Sequence, residues 1–287
     1  MIALVAPSGP LAPERVDRGI ARLETEWGFT VRPGRHLRDR HPRLGYLAGD
    51  DQDRADDLLA AWTDPDIAAV WCARGGYGAQ RMVDLLDFAA MRTAGTKHLI
   101  GFSDITALHT RIGRELDQVT LHAPVGTGAQ LTDEPSAAAV RRLLTARPDP
   151  GTELITGSML RPGTAEGRLI GGNLALIAGD LGVEPAPGEP SIVILEDVGE
   201  TGYRLDRMLT QLRRSGWFGN VTGIVLGDFT ESDRREQIDA VLVDRLGDLG
   251  IPVLHRAAFG HDDRNLALPL GAVARLDADA GTLRLHS

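Results

Sequence analysis

The strongest constraint in this sequence is an alternation. Short apolar runs, each of strand length and each closed by Gly, Pro or Ser, are separated by segments whose apolar residues recur at helical spacing. Ile2 to Ala6 runs into Pro7-Ser8-Gly9-Pro10, and a helix follows with Val16, Ile20, Leu23 and Trp27 on one stripe. Gly28 to Val31 predicts a second strand. Beyond a polar loop through Tyr46-Leu47-Ala48-Gly49-Asp50, Leu58, Leu59 and Trp62 predict a second helix. Ile67 to Ala73, His98 to Gly101 and Val119 to His122 predict further strands. The helices between and after them carry Met82, Val83, Leu85 and Leu86, then Ile105 and Leu108, then Val140 to Leu144. Continuous apolar runs, as opposed to runs alternating with polar residues, belong to strands covered on both faces. The expectation for this half is therefore a mostly parallel α/β sheet flanked by helices.

Ala146-Arg147-Pro148-Asp149-Pro150-Gly151 breaks the pattern and reads as a linker or domain edge. At 287 residues the chain is long enough for two domains. The division expected is an N-terminal α/β domain over 1–150 and a C-terminal α/β domain with additional short strands over 151–287. In the second part Leu154-Ile155, Gly167 to Asn173, Ser191 to Asp197 and Val221 to Leu226 predict strands, with helices at Leu174 to Leu181, around Leu205 to Leu212 and around Ile238 to Leu242. The tail predicts short strands at Pro252 to Leu254, Ala272 to Leu276 and Leu283 to Leu285.

Composition narrows the function classes. A net charge of -9, with no cluster of Lys and Arg, argues against a nucleic-acid partner. The apolar runs are strand-sized, which argues against a membrane span, and the N-terminal run is too short for a signal peptide. A single cysteine, Cys72, excludes an internal disulfide and suits a reducing compartment. The expected location is cytoplasmic.

Ligands in open α/β sheets gather at the carboxyl ends of strands. Two segments sit at such ends. In His98-Leu99-Ile100-Gly101-Phe102-Ser103-Asp104 a serine occupies a strand-to-helix bend, where its hydroxyl is exposed and the Asp104 amide, in the first helical turn, is free to donate to an oxyanion. The competing reading is that Ser103 caps the helix. In Arg74-Gly75-Gly76-Tyr77-Gly78 the glycines allow close backbone approach. The phosphate-cradle lysine and spacing are absent, which leaves a tight turn or a second oxyanion donor. A serine nucleophile needs a base and a carboxylate to orient it. Candidates are His261, in a loop after a glycine, and Glu196 or Asp197, of which strand alternation lets only one face a given base. His109 and His122 compete for the base role, although His109 is nearly two turns into its helix. The alternatives are a metal site from His255, His261, Asp262, Asp263 and Asp228, and Cys72 as nucleophile; the first lacks any paired-His motif, and the second sits in an apolar strand where cysteines pack.

Four segments taken together carry a resemblance: Cys72 to Gly78, Ile100 to Leu108, Gly167 to Leu174, and Leu195 to Glu200 with Tyr203 to Leu209. In this order they resemble the LD-carboxypeptidase family of serine peptidases over nearly the whole chain. The resemblance implies Ser103 as nucleophile, His261 as base, Glu196 as its orienting carboxylate, and an oxyanion hole from the amides of Asp104 and of Gly75 or Gly76. It further implies a small peptide substrate cleaved between an L-centre and a terminal D-residue, without metal or cofactor, by a homodimer. The substrate implied is murein tetrapeptide, in cell-wall recycling, or a processed microcin C-type peptidyl-nucleotide in the self-immunity branch.

Overall fold

The computed structural model describes residues 1–145 and 149–286. Ala146, Arg147 and Pro148, the first half of the expected linker, lie outside the described residues. Contacts gather into two compact units, Met1–Ala137 and Ala138–Ser287, each an α/β assembly.

In the first unit the elements are β1 (Ile2–Val5), α1 (Pro13–Thr25), β2 (Val31–Pro33), α2 (Asp51–Thr63), β3 (Ala69–Cys72), α3 (Ala79–Met82), α4 (Phe88–Ala94), β4 (His98–Gly101), α5 (Thr106–Leu116) and β5 (Thr120–His122). The strands lie side by side in the order β5-β4-β3-β1-β2, every pair parallel. All residues of β1 and β3 are buried, as their unbroken apolar runs require. One core packs Val5, Val70 and Cys72 against Leu58 and Trp62 of α2 and Leu108 and Ile112 of α5. Burial of each such side chain contributes about 1.5–3 kcal/mol. The first helix ends at Thr25 and excludes Trp27, because Gly28 turns the chain at φ +69. That displaces the second strand from the expected 28–31 to Val31–Pro33. The boundary between the two units falls inside α6 (Glu134–Thr145).

The second unit contains β6 (Glu153–Thr156), β7 (Ser158–Arg161), β8 (Thr164–Asn173), α7 (Leu174–Gly179), β9 (Ser191–Val198), α8 (Gly202–Arg214), β10 (Val221–Thr230), α9 (Arg235–Leu246), β11 (Val253–His255), β12 (Leu268–Leu270), β13 (Val273–Asp277) and β14 (Thr282–Leu285). A mixed sheet runs in the order β6-β14-β13-β8-β9-β10-β11-β7. Its centre, β8 to β11, is parallel, and the outer pairings are antiparallel. Along β9 the period of two is explicit. Ile192 and Ile194 enter a core with Phe259 and Leu254, while Val193 and Leu195 enter another with Leu205 and Leu209 of α8. Both faces are therefore covered, and the parity decides where the two acids that end the strand project.

Candidate active site

In the first unit three loops converge at the carboxyl ends of β1, β3 and β4. The chain leaves β4 through Phe102 and reaches Ser103 at φ +65, a left-handed conformation that an L-residue adopts at a cost of about 1–2 kcal/mol. A single 3-10 turn, Ser103–Ile105, leads into α5. The cap positions of that turn and of α5 are Phe102 and Ile105, with no side-chain cap hydrogen bond at either. The capping role for Ser103 is thereby excluded. Strain at a half-exposed serine without a capping function is the pattern of a functional position.

Against Ser103 lies the glycine turn. A Cβ on Gly75 would sit 3.0 Å from Ser103 Cβ and 3.2 Å from its Oγ, so only glycine gives this approach without displacing the serine. The Gly75 carbonyl accepts from the Gly9 amide at 3.2 Å. Since the intervening peptide is trans and planar, the Gly76 N–H points the opposite way. Gly76 itself stands at φ +116. Arg74 ties the start of the turn to the Pro10 carbonyl at 2.7 Å, and the Asp104 carboxylate accepts from the Ala79 amide at its end, at 2.8 Å. Burial pushes that carboxyl up from its ordinary value, against the pull of the Ser8 hydroxyl, the Ala79 amide and the Arg54 charge.

In the second unit Glu196 and His261 meet. Glu196 continues the Ile192, Ile194 side of β9 and is completely buried; its Oε2 lies 2.6 Å from His261 Nδ1. Gly260, at φ +118, makes the approach possible, because a Cβ there would lie 3.1 Å from the same Oε2. The loop is strapped down: Phe259 is buried in the core, its carbonyl accepts from the Asp228 amide at 2.9 Å, and the Gly260 amide donates to Asn265 Oδ1 at 3.2 Å. Burial alone would push the His261 imidazole down. The Glu196 hydrogen bond and charge, joined by the charges of Asp197 and Glu231, outweigh it and carry His261 above its ordinary value. With an ionised carboxylate on Nδ1, the proton sits on that nitrogen and Nε2 is left as the basic atom.

Asp197 projects to the other face. Its carboxylate accepts from the Asn173 side chain at 3.1 Å and from the Ala175 amide at 2.9 Å, at the start of α7. Burial and the neighbouring Glu196 charge push it to about 7. Strand parity thus separates the pair: Glu196 faces the imidazole and Asp197 braces a helix.

The competing histidines have other work. His109 is buried, with Nε2 2.9 Å from the Gly101 carbonyl and Nδ1 2.8 Å from Thr120 Oγ1, linking β4 to β5; burial pushes it down to about 4. His122 is fully buried with its ring edge-on to Phe102 at 5.7 Å. Cys72 is buried in the core, where desolvation raises its thiol far above the ordinary range. Among the described residues no three His, Cys, Asp or Glu side chains form a group able to hold a metal, so His255, His261, Asp262, Asp263 and Asp228 assemble no such centre. Asp228 instead is pushed to about 7, chiefly by burial and the charge of Asp262. No helix among the described residues is long and apolar enough to cross a membrane.

Sequence reasoning missed Arg54, which is 1% exposed and bonds to the Gly78 carbonyl at 2.8 Å. A lone arginine in a helix with charged neighbours gives no periodic signal of burial.

The LD-carboxypeptidase N-terminal domain profile matches residues 2–123, and the LD-carboxypeptidase C-terminal domain profile matches residues 166–276. A Streptomyces coelicolor protein is 48% identical over 99% of this chain and 92% of its own length. The murein tetrapeptide carboxypeptidase of Pseudomonas aeruginosa is 36% identical, covering 97% of this chain and 93% of its own. The microcin C7 self-immunity protein of Escherichia coli is 28% identical, over 96% and 88% respectively. Among solved structures, the muramoyltetrapeptide carboxypeptidase of Oxalobacter formigenes superposes with a TM-score of 0.85 at 30% identity, covering 99% of this chain and 97% of that one. Matched by both domain profiles and by full-length relatives, this chain belongs to the LD-carboxypeptidase family of serine peptidases.

Proposed function

We propose that the protein is an LD-carboxypeptidase that releases the terminal D-alanine of murein tetrapeptide, with Ser103 as nucleophile, His261 as base and Glu196 as the carboxylate that orients it. Within the first unit the serine stands among backbone donors, and within the second the imidazole is held by its carboxylate partner. Ser103 Oγ attacks the amide carbonyl as His261 Nε2 takes its proton. The oxygen that gains charge is met by the amides of Asp104 and of Gly75 or Gly76. His261 then protonates the departing D-amino acid, and water hydrolyses the acyl-enzyme by the reverse proton route. The same reading includes a role in cell-wall recycling, a cytoplasmic location and a homodimeric enzyme.

The observation that carries this reading is the 2.6 Å contact between a fully buried carboxylate and an imidazole raised in its loop. Such a bond fixes the tautomer that a general base requires. The higher identity to the murein enzyme, 36% against 28% for the self-immunity protein, favours the tetrapeptide over a peptidyl-nucleotide. Incubation with each substrate, followed by mass measurement of the products, tests the choice. Loss of one D-alanine from the tetrapeptide is expected. Cleavage of the peptidyl-nucleotide alone would transfer the assignment to the toxin branch, and no product from either would overturn it.

The raised His261 value sets the pH dependence. The base works only when neutral, so kcat/KM falls as pH drops through a value elevated above the usual histidine pKa of about 6.5. A profile of kcat/KM against pH checks this: an acidic limb centred well below 6.5 would mean that Glu196 does not act on His261 as proposed.

A further inference from the structure

The reaction just proposed leaves a buried ion without a part to play. Arg54, on α2, is 1% exposed. Its guanidinium spans two loops at the carboxyl end of the sheet, where Nη1 donates to the Gly78 carbonyl at 2.8 Å and to the Pro7 carbonyl, while Nη2 pairs with Asp51. Gly78 is shaped for this contact. It stands at φ +131, and a Cβ there would lie 2.8 Å from Arg54 Nη1 and 2.8 Å from Leu47 Cδ2. One residue further on, the Ala79 amide donates to the carboxylate of Asp104, itself 1% exposed. The segment Gly78-Ala79 is therefore gripped from both sides, by a guanidinium on its carbonyl and a carboxyl oxygen on its amide. It begins three residues after Gly75, the glycine that packs on Ser103, and Asp104 directly follows Ser103.

Burying charge is costly, and an apolar side chain of similar volume would fill this space without desolvating an ion. An apolar side chain could not hold carbonyls of two different loops at a fixed separation. Charge-assisted hydrogen bonds do so with directional geometry.

We propose that Arg54 and the carboxyl group of Asp104 are positioning residues for the reaction: Arg54 fixes the end of the Arg74 to Gly78 turn to the Pro7 loop, and Asp104 fixes the amide that follows it to the Ser103 turn, so that backbone donors from both turns face one oxygen. This rests on the reading of Ser103 as nucleophile. A loosened clamp spoils the alignment of donors with the charged transition state and leaves ground-state binding of the peptide largely intact, so the effect falls on kcat.

The test uses Arg54→Lys and Asp104→Asn, which keep size and polarity, with Arg81→Ala as control. Arg81 is the exposed second partner of Asp51, at 2.8 Å; its backbone amide donates to the Gly78 carbonyl, which the substitution preserves, and its side chain touches neither loop carbonyl. Three quantities are measured: kcat and KM on the tetrapeptide, the rate of covalent labelling of Ser103 by a fluorophosphonate, which needs the same donors, and thermal melting. In both clamp variants kcat and the labelling rate are expected to fall together by about 10- to 100-fold, less than or near the loss of one oxyanion donor. KM is expected to stay within about threefold and the control to match the parent on the same scale. A cooperatively folded Arg54→Lys protein that labels and turns over within about threefold of the parent would overturn the clamp, as would a rise in KM at constant kcat. Should Arg54→Lys fail to fold, Asp104→Asn is judged by the same criteria. Absence of labelling at Ser103 in the parent would instead remove the nucleophile reading and the clamp with it.

Discussion

Ser103→Ala is expected to fold like the parent and to lose turnover on the order of 10⁴- to 10⁶-fold, the range found when a catalytic serine is removed from a working triad. The structure gives grounds for both halves of that expectation. Ser103 occupies neither cap position at the start of its helix, and its side chain is half-exposed, so deleting the oxygen leaves no buried donor or acceptor stranded. The backbone donors around it remain, which is why some catalysis over water should survive. Steady-state hydrolysis measured beside a melting curve checks both points. Retention of activity within tenfold of the parent would take Ser103 out of the chemistry.

The second large effect is expected at Glu196. A glutamine there keeps the shape of a side chain that is wholly buried but removes the charge that stabilises the imidazolium. Its amide nitrogen can also donate to His261 Nδ1, leaving the proton on the nitrogen that should be basic. By analogy with the same change in a serine protease triad, kcat is expected to fall about 10⁴-fold. Because the Glu196 hydrogen bond and charge are what lift His261 against burial, the residual activity should also show its acidic limb at lower pH than the parent. Two readouts, a rate and a midpoint, thus move for one cause. A fall below tenfold with an unmoved midpoint would mean that the carboxylate serves packing alone.

Much of the first unit was legible because parallel strands advertise themselves. Ile2 to Ala6 and Ile67 to Ala73 are apolar without interruption, and the structure buries every residue of β1 and β3. The errors at Trp27 and at the second strand share one origin, a glycine at φ +69 that ends the helical stripe sooner than its periodicity implies. In the second unit β7, at Ser158–Arg161, was not foreseen. Half of it is exposed, and it is held by antiparallel pairing with β11, a partner almost a hundred residues distant that local pattern does not encode. The acids of β9 were half legible: alternation dictated that only one could face a base, but the choice of Glu196 depended on the loop bearing Gly260, which packs against that face through Phe259. The clamp of Arg54 was invisible, since the two loops it joins are gripped through backbone carbonyls, which carry no sequence signal.

The left-handed backbone at Ser103 has an evolutionary corollary. Glycine would relax that residue at no steric penalty, and asparagine would tolerate it better than serine does. A population selected for heat resistance alone would drift toward those two residues here, giving hardier proteins that, on the proposed chemistry, are inert. Persistence of a serine in so unfavourable a conformation is then a ready diagnostic for telling working members of the lineage from decayed copies.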